Sequence, residues 1–205
     1  MINSMLEENK ADGTGTILHF FDIIVQDDDK SDSFVVLSCL EAGLNALHLK
    51  FPAIHNVILQ SDNAKNFASK DMKLLVHQVV TAASMNLLAY YHNEAATGKD
   101  ICDTHFAHMQ ARVTAYISEG EGGRKVSTAK QLAVALSSKC VKDTTVLLVK
   151  PKHDAPFVST KVPAIQGISN FYAVEYDEKN QKAKFFRNLG QVVPSITKTL
   201  AMAPL

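Results

Sequence analysis

Short apolar runs alternate along the chain with longer segments in which apolar residues recur at every third or fourth position. Residues 17–25 are rich in β-branched and aromatic side chains, and the polar cluster 27–32 separates them from residues 34–37, so we expect a β-hairpin. Residues 56–60 and 86–91 are nearly all apolar and too short for helices, which is typical of buried parallel strands.

Helical spacing of apolar residues predicts four helices, at residues 39–50, about 69–85, about 100–118 and from Ser127 or Thr128 onward. In the fourth, Gln131 follows Thr128 by three positions, which is a weak capping box. The predicted order is strand, strand, helix, strand, helix, strand, loop, helix. This order favours an α/β fold with right-handed crossovers.

The C-terminal third has a different pattern. Pro151, Pro156 and Pro163 indicate a linker, and residues 171–176 and 184–187 mix aromatic and charged side chains on either side of a polar turn. We expect these two runs to form an antiparallel pair with one face packed on the main domain.

Length and composition fit one main domain with short additions. A chain of 205 residues with 46% hydrophobic content can bury one full core and an appendage. We predict a disordered acidic leader at residues 1–15, an α/β domain at residues 16–150, and a linker with a β-hairpin appendage at residues 151–205.

The net charge of zero hides an uneven distribution along the chain. Residues 1–34 carry a charge of −6, residues 35–138 carry +1, and residues 139–205 carry +5. Nucleic-acid binding requires basic side chains gathered on one face, and only the last third leans that way. A mildly basic solvated surface explains this third better than a nucleic-acid footprint does.

The cysteines and the apolar runs indicate a compartment. Cys39, Cys102 and Cys140 are an odd number without regular spacing, which argues against a disulfide framework and for reducing conditions. No run reaches the roughly 18 apolar residues that span a bilayer, and the polar start of the chain is unlike a signal peptide. We expect a nuclear or cytoplasmic protein.

Two acidic motifs carry the strongest chemical signal. Asp62 follows the apolar run 56–60, and Gly98-Lys99-Asp100 leads into a predicted helix with Asp103 in its first turn. Two divalent cations need oxygen ligands from separate rigid elements, which an acid at a strand end and another at a helix start supply. Each acid also has a structural explanation, because Asp62 can cap a helix and the macrodipole favours carboxylates in a first turn.

These motifs resemble transposase and integrase domains of the ribonuclease-H-like class, and the resemblance covers roughly residues 16–150. Gly98-Lys99 followed by Asp103 is similar to the Gly-Lys-Gly-x-x-Asp signature of transposase-derived proteins from animal genomes, with Asp100 at the second glycine. The resemblance implies a mixed sheet flanked by helices and metal-dependent DNA cleavage and strand transfer.

In this class three acids hold two Mg²⁺ or Mn²⁺ ions that flank a phosphodiester. The resemblance implies that Asp62 is the second acid and Asp103 the third, with Asp100 and Glu94 as further candidates. The resemblance also implies DNA as the partner, and Lys65 and Lys99 are the nearest candidates for phosphate contacts.

The chain departs from the family pattern at the first acid. Residues 17–25 match the second strand of the family, so the resemblance implies a domain that is incomplete at its N-terminus. Asp22 is a poor substitute for the first acid, because only one predicted strand separates it from the first helix. This pattern indicates a truncated or decayed transposase, or a gene model without its start. A third explanation is a domesticated protein that fills the gap by partner exchange, which would make it a homo-oligomer. The alternative is a non-enzymatic interaction or nucleic-acid-binding module.

A zinc site at Cys102, His105 and His108 is a competing hypothesis. The three positions spread over about 120° of the predicted helix, and no fourth ligand lies nearby in the sequence. Cys102 belongs to the predicted apolar stripe of this helix, with Phe106 and Met109, so a buried core cysteine explains it better. Asp103 is expected about 90° from the middle of that stripe.

Overall fold

The computed structural model describes residues 2–9, 16–26, 32–61, 64–92, 101–120, 123–151, 164–177, 179, 181–188, 191 and 193–199. These residues form a mixed α/β structure. The strands are β1 (Ile2–Asn9), β2 (Thr16–Val25), β3 (Asn56–Ser61), β4 (Asn86–His92), β5 (Thr144–Val149), β6 (Ala173–Asp177), β7 (Lys182–Phe186) and β8 (Ile196–Thr199). The helices are α1 (Ser33–Lys50), α2 (Lys70–Ala82), α3 (Ile101–Ser118) and α4 (Ala129–Ser138).

The chain divides into two compact units, each built from two separate stretches of sequence. Unit 1 comprises residues 1–29 and 99–151, and unit 2 comprises residues 30–98 and 152–205. This division differs from the predicted single domain at residues 16–150, because residues 152–205 complete the unit that begins at residue 30.

Unit 1 is a three-stranded sheet with two helices. The strand order is β1-β2-β5, with β2 antiparallel to β1 and parallel to β5. Ile24 of β2, Met109 of α3 and Leu136 of α4 form a buried apolar cluster, with Val146 of β5 packed against it. The helices α3 and α4 therefore cover the face of the sheet that Ile24 presents.

Unit 2 contains a five-stranded mixed sheet in the order β3-β4-β6-β7-β8. The pair β3 and β4 is parallel, whereas each later neighbouring pair is antiparallel. The helix α2 begins at the N-cap Ser69, whose hydroxyl accepts from the Met72 amide. Leu75, Val76 and Val80 of this helix are fully buried in unit 2.

A buried lysine ties α2 to the C-terminal part of unit 2. Lys73 has no exposed surface, and its Nζ donates to the carbonyl oxygens of Ile168 and Phe171 at 2.9 and 2.7 Å. The hydroxyl of Tyr176 in β6 donates to the carbonyl of Lys73 at 2.7 Å. Both ends of this lysine residue therefore hold residues about one hundred positions further along the chain.

The predicted strand at residues 34–37 is wrong, because these residues lie in α1. Asp32 is the N-cap of the helix, and its carboxylate accepts from the amides of Phe34 and Val35 at 3.0 Å each. The β-branched run is buried inside unit 2, where packing outweighs its strand propensity. The predicted hairpin between residues 17–25 and 34–37 therefore does not form.

The strand that pairs antiparallel with β2 is instead β1. The register runs from Ile2 opposite Ile23 to Asn9 opposite Thr16. Residues 2–9, which we predicted to be part of a disordered leader, are thus a strand. Acidic composition misled the prediction, because backbone pairing with an adjacent strand does not require an apolar sequence.

The predicted C-terminal hairpin is confirmed, with Ala173 opposite Phe186 in β6 and β7. It is not an appendage, because β6 also pairs with β4 and continues the sheet of unit 2. The linker expected around Pro156 and Pro163 lies outside the described residues. Among the helices that the structure describes, none has the length and apolar character that a membrane span needs.

Candidate functional site

The carboxyl ends of β3 and β4 lie side by side in unit 2. The two strands are parallel and end in register, with Ser61 opposite His92. The Ser61 hydroxyl lies 3.0 Å from the Tyr90 hydroxyl and 3.1 Å from Nδ1 of His92. Tyr90 in turn donates to the carbonyl of Phe67 at 3.2 Å. This polar network fixes the last residues of both strands and the turn that follows β3.

The donor directions in this network follow from the Tyr90 hydroxyl. Its single proton points to the Phe67 carbonyl, so the Ser61 hydroxyl is the donor in the contact between Ser61 and Tyr90. Nδ1 of His92 lies within hydrogen-bond distance of the same Ser61 hydroxyl. His92 has no exposed surface, so its ring is held rigidly at the strand end.

Several of the predicted site residues lie outside the described residues. Asp62 follows the last residue of β3 directly in the sequence, and it is one of these, together with Glu94, Lys99 and Asp100. Their roles stay predictions. Lys65 is described, and it is exposed in the turn between β3 and α2.

Asp103 is an exposed residue in the first turn of α3. It belongs to unit 1, whereas Asp62 belongs to unit 2. The buried side of α3 passes through His105 and Met109, which are 4% and 1% exposed. Two helical positions separate Asp103 from His105, so the two side chains leave the helix in directions about 160° apart. Asp103 therefore faces away from the strand that His105 contacts.

The buried side of α3 differs from the predicted apolar stripe. Phe106 was expected on that stripe, but it is 39% exposed, and His105 takes the buried position. The reason lies in β2, where a buried carboxylate, Asp22, faces the helix. A carboxylate inside a protein needs a hydrogen-bond donor, which phenylalanine cannot provide.

Asp22 and His105 form a buried pair inside unit 1. His105 Nε2 lies 2.8 Å from Asp22 Oδ1, and the ring of Phe20 stacks on the imidazole with 3.9 Å between the centroids. Burial raises the pKa of Asp22 above its ordinary value, and hydrogen bonding to His105 opposes that shift. Asp22, considered as a substitute for the first acid of the family, is thus already engaged by His105.

Sequence patterns alone did not find this pair. The available signal was an aspartate in the middle of an apolar strand, which indicates a buried acid that needs a partner. The partner is 83 residues away, so no local spacing could identify it.

The alternative zinc ligands do not share one environment. His105 is paired with Asp22, Cys102 is half-buried, and His108 is exposed on α3. In the described part of the chain, no three or more histidine, cysteine, aspartate or glutamate side chains are grouped so that they could hold a metal ion.

The sequence was compared with known proteins in three ways. No curated protein and no solved structure matches it. A family model, described as a domain of unknown function (DUF8701), matches residues 10–187. This match spans most of both units, including the ends of β3 and β4 and the whole of α3. The chain therefore belongs to the DUF8701 family.

Proposed function

We propose that this chain is a transposon-derived protein of the ribonuclease-H-like class, whose ancestral activity is metal-dependent DNA cleavage and strand transfer. The observation that carries the proposal is the parallel pair β3 and β4, which ends in register at Ser61 and His92. Asp62 is the next residue in the sequence, so a carboxylate follows immediately after a rigidly held strand end.

The proposed metal ligands are Asp62 and Asp103, as the second and third acids of the family, and Asp100 and Glu94 are the candidates to substitute for the missing first acid. Exposure of Asp103 at the start of α3 supports this role, because a ligand must be accessible to the ion and its substrate. Carboxylate oxygens suit Mg²⁺ and Mn²⁺. When bound, such ions would stabilise the attacking and leaving oxygens of a phosphodiester.

The proposed DNA contacts are Lys65 and Lys99. Lys65 is exposed three residues after Asp62, where a lysine can neutralise a backbone phosphate beside the acids. The excess of basic residues in the last third of the chain adds to this attraction. A nuclear or cytoplasmic location is part of the same proposal.

We expect the 205-residue chain not to cut DNA. Its residues match only two of the three acids of the family, and the pairing of Asp22 with His105 occupies the nearest substitute. With the first acid of the family absent, one of the two ions lacks its bridging carboxylate.

The second candidate function is a non-enzymatic interaction or nucleic-acid-binding module. One observation favours it. The residues through which α3 contacts β2 include His105 and Met109, and Asp103 projects in a different direction. Because Asp103 does not hold α3 in place, the fold can persist in a protein that has lost its metal-dependent activity.

The first experiment measures Mn²⁺ binding by titration calorimetry with the wild-type chain and the variants Asp62→Asn and Asp103→Asn. We expect saturable binding that each variant weakens, because the two acids share the ions. The matched control is Asp71→Asn, which changes a carboxylate in the first turn of α2 and should leave binding unchanged. Binding that neither site variant alters would contradict the metal site.

The second experiment measures nicking of supercoiled plasmid in Mg²⁺ and in Mn²⁺, together with DNA binding at several salt concentrations. Salt-dependent binding without nicking is the expected result for a domain that retains its surface and lacks a complete site. Nicking that Asp62→Ala abolishes would show that the site is complete, with Asp100 or Glu94 supplying the missing ligand.

A further inference from the structure

The two edges of the unit 2 sheet differ in how they are protected. Among the described strands, β3 forms one edge and β8 the other. The four-residue strand β8 carries Lys198, and Pro194 precedes it closely. Short length, lysine and proline are devices by which natural proteins keep edge strands from pairing with other chains.

The edge strand β3 is longer and contains neither lysine nor proline, although its pairing with β4 shifts register between Val57 and Ile58. Its six residues, Asn-Val-Ile-Leu-Gln-Ser, include no charged residue, proline or glycine. Ile58 in its middle is 58% exposed, although isoleucine is among the residues most often buried in proteins. An uncharged, β-branched edge of this kind is a template for the addition of another strand.

We propose that β3 pairs with β3 of a second copy of this chain, in antiparallel orientation and centred on Ile58. The strand is self-complementary in this register. Asn56, Ile58 and Gln60 alternate on the exposed face, while Val57 is buried on the opposite face and Leu59 is half-buried.

A two-fold axis through Ile58 aligns like residues across the interface. Ile58 meets its own equivalent, Val57 lies opposite Leu59 of the second copy, and Asn56 lies opposite Gln60. The Ile58 pair buries exposed apolar surface on one face of the joined sheet, and the Val57–Leu59 contact, which the axis generates twice, continues the apolar pairing on the other face. A charged residue on a two-fold axis would lie opposite its own copy and repel it. The strand β3 carries no charge, so this repulsion does not arise.

The resulting interface is isologous, as in most homodimers, and joins the two five-stranded sheets into one. Pairing of two six-residue strands buries a small area, and interfaces below about 1,200 Å² are usually transient. The dimer therefore depends on protein concentration. This proposal requires neither a metal ion nor DNA, so its test is independent of the proposed function.

The first test is sedimentation equilibrium over a concentration series. We expect the mean mass to rise from 22.4 kDa towards twice that value. Ile58→Lys should remain at the monomer mass, because two ammonium groups would meet at the axis. This variant should fold normally, as shown by an unchanged circular dichroism spectrum, because Ile58 is mostly exposed.

The matched control is Leu88→Lys. Leu88 is 48% exposed and lies in β4, one strand inside the edge, so its charge should leave the dimer intact. Loss of the dimer in Leu88→Lys as well would indicate stacking of sheet faces and would overturn edge pairing.

The second test is oxidative cross-linking in a Cys102→Ser, Cys140→Ser background, where the remaining Cys39 is buried. Residues opposite each other in antiparallel strands have Cα atoms about 4.5–5.5 Å apart, within the range for a disulfide. Ile58→Cys should therefore give a covalent dimer, whereas Leu88→Cys should stay monomeric. Absence of the Ile58→Cys dimer, or a wild-type chain that stays at 22.4 kDa throughout, would overturn the proposal.

Discussion

His105 in α3 and Asp22 in the middle of β2 are joined by a contact of 2.8 Å between Nε2 and Oδ1. Both side chains are 2% exposed, so neither can exchange its partner for water without local opening. The pair connects the first turns of α3 to the strand beneath. The direction in which Asp103 projects therefore depends on a contact made two residues later in the same helix.

Replacing His105 should strongly destabilise unit 1. In His105→Ala the buried carboxylate of Asp22 loses its hydrogen-bond partner, and breaking a buried pair in this way costs about 3–5 kcal/mol. The free energy of unfolding, measured by urea denaturation, should fall by that amount. His108→Ala is the control, because His108 is exposed on the same helix and should change stability by less than about 0.5 kcal/mol. Equal effects of the two substitutions would contradict the importance of the pair.

The Asp22 pair also predicts a pH dependence of stability. Burial raises the pKa of Asp22 in the folded protein, so above about pH 3.9 the folded state binds more protons than the unfolded chain. The Asp22 contribution to the free energy of unfolding should therefore decrease as pH rises through the raised pKa. Asp22→Asn removes this titration, so its stability relative to wild type should improve with increasing pH. Urea denaturation at a series of pH values tests the sign, and a relative loss with increasing pH would refute it.

Lys73 predicts a pH dependence of opposite sign. Burial lowers the pKa of Lys73 to about 8, whereas an unfolded lysine titrates near pH 10.4. Between these values the unfolded chain binds a proton that the folded protein has released, so the free energy of unfolding should rise with pH.

The matched variant for this measurement is Lys73→Met, which removes the amine and preserves most of the side-chain volume. Burial raises the pKa of Tyr176 as well, but that residue is common to both proteins, so its effect cancels in the difference. Stability curves that stay parallel between pH 8 and 10 would show that Lys73 does not titrate in this window.

The N-terminus of α4 should lose stability when its cap is removed. Thr128 Oγ1 accepts from the Gln131 amide at 3.2 Å, and the Gln131 side chain accepts from the Thr128 amide at the same distance. Thr128→Ala should lower the free energy of unfolding by about 1 kcal/mol, whereas Thr128→Ser retains the acceptor and should cost little. Amide hydrogen exchange in the first turn of α4 should rise in the alanine variant only. Equal exchange in both variants would argue against the cap.

Elements with strong local signals could be predicted from the sequence. The helices α2, α3 and α4 occur within a few residues of the predicted bounds, and the capping box at Thr128 is present. The strands β3 and β4 also occur where apolar runs of strand length predict them, but β3 was expected to be a buried central strand and instead lies at the edge of its sheet with one face exposed. In these segments the apolar periodicity, the caps and the segment length all favour the same secondary structure. Tertiary packing is therefore not needed to select between helix and strand.

The failures involve competition between local preference and distant contacts. Val35 and Val36 favour a strand locally, but the Asp32 cap and burial in unit 2 select a helix. Asp22 and His105 pair across 83 residues, which no local pattern encodes. Asp62 and Asp103 likewise belong to different units, so no local pattern relates their positions.

The contacts of Lys73 have a consequence for the order of folding during synthesis. Its side-chain partners and Tyr176 are translated about one hundred residues after the lysine itself. Until residues 168–176 leave the ribosome, the amine of Lys73 in α2 lacks the carbonyl acceptors that it has in the folded unit, and β4 lacks its neighbour β6. Residues 99–151 emerge in the meantime and can join residues 1–29. We therefore expect unit 1 to acquire protease resistance on the nascent chain before unit 2 does.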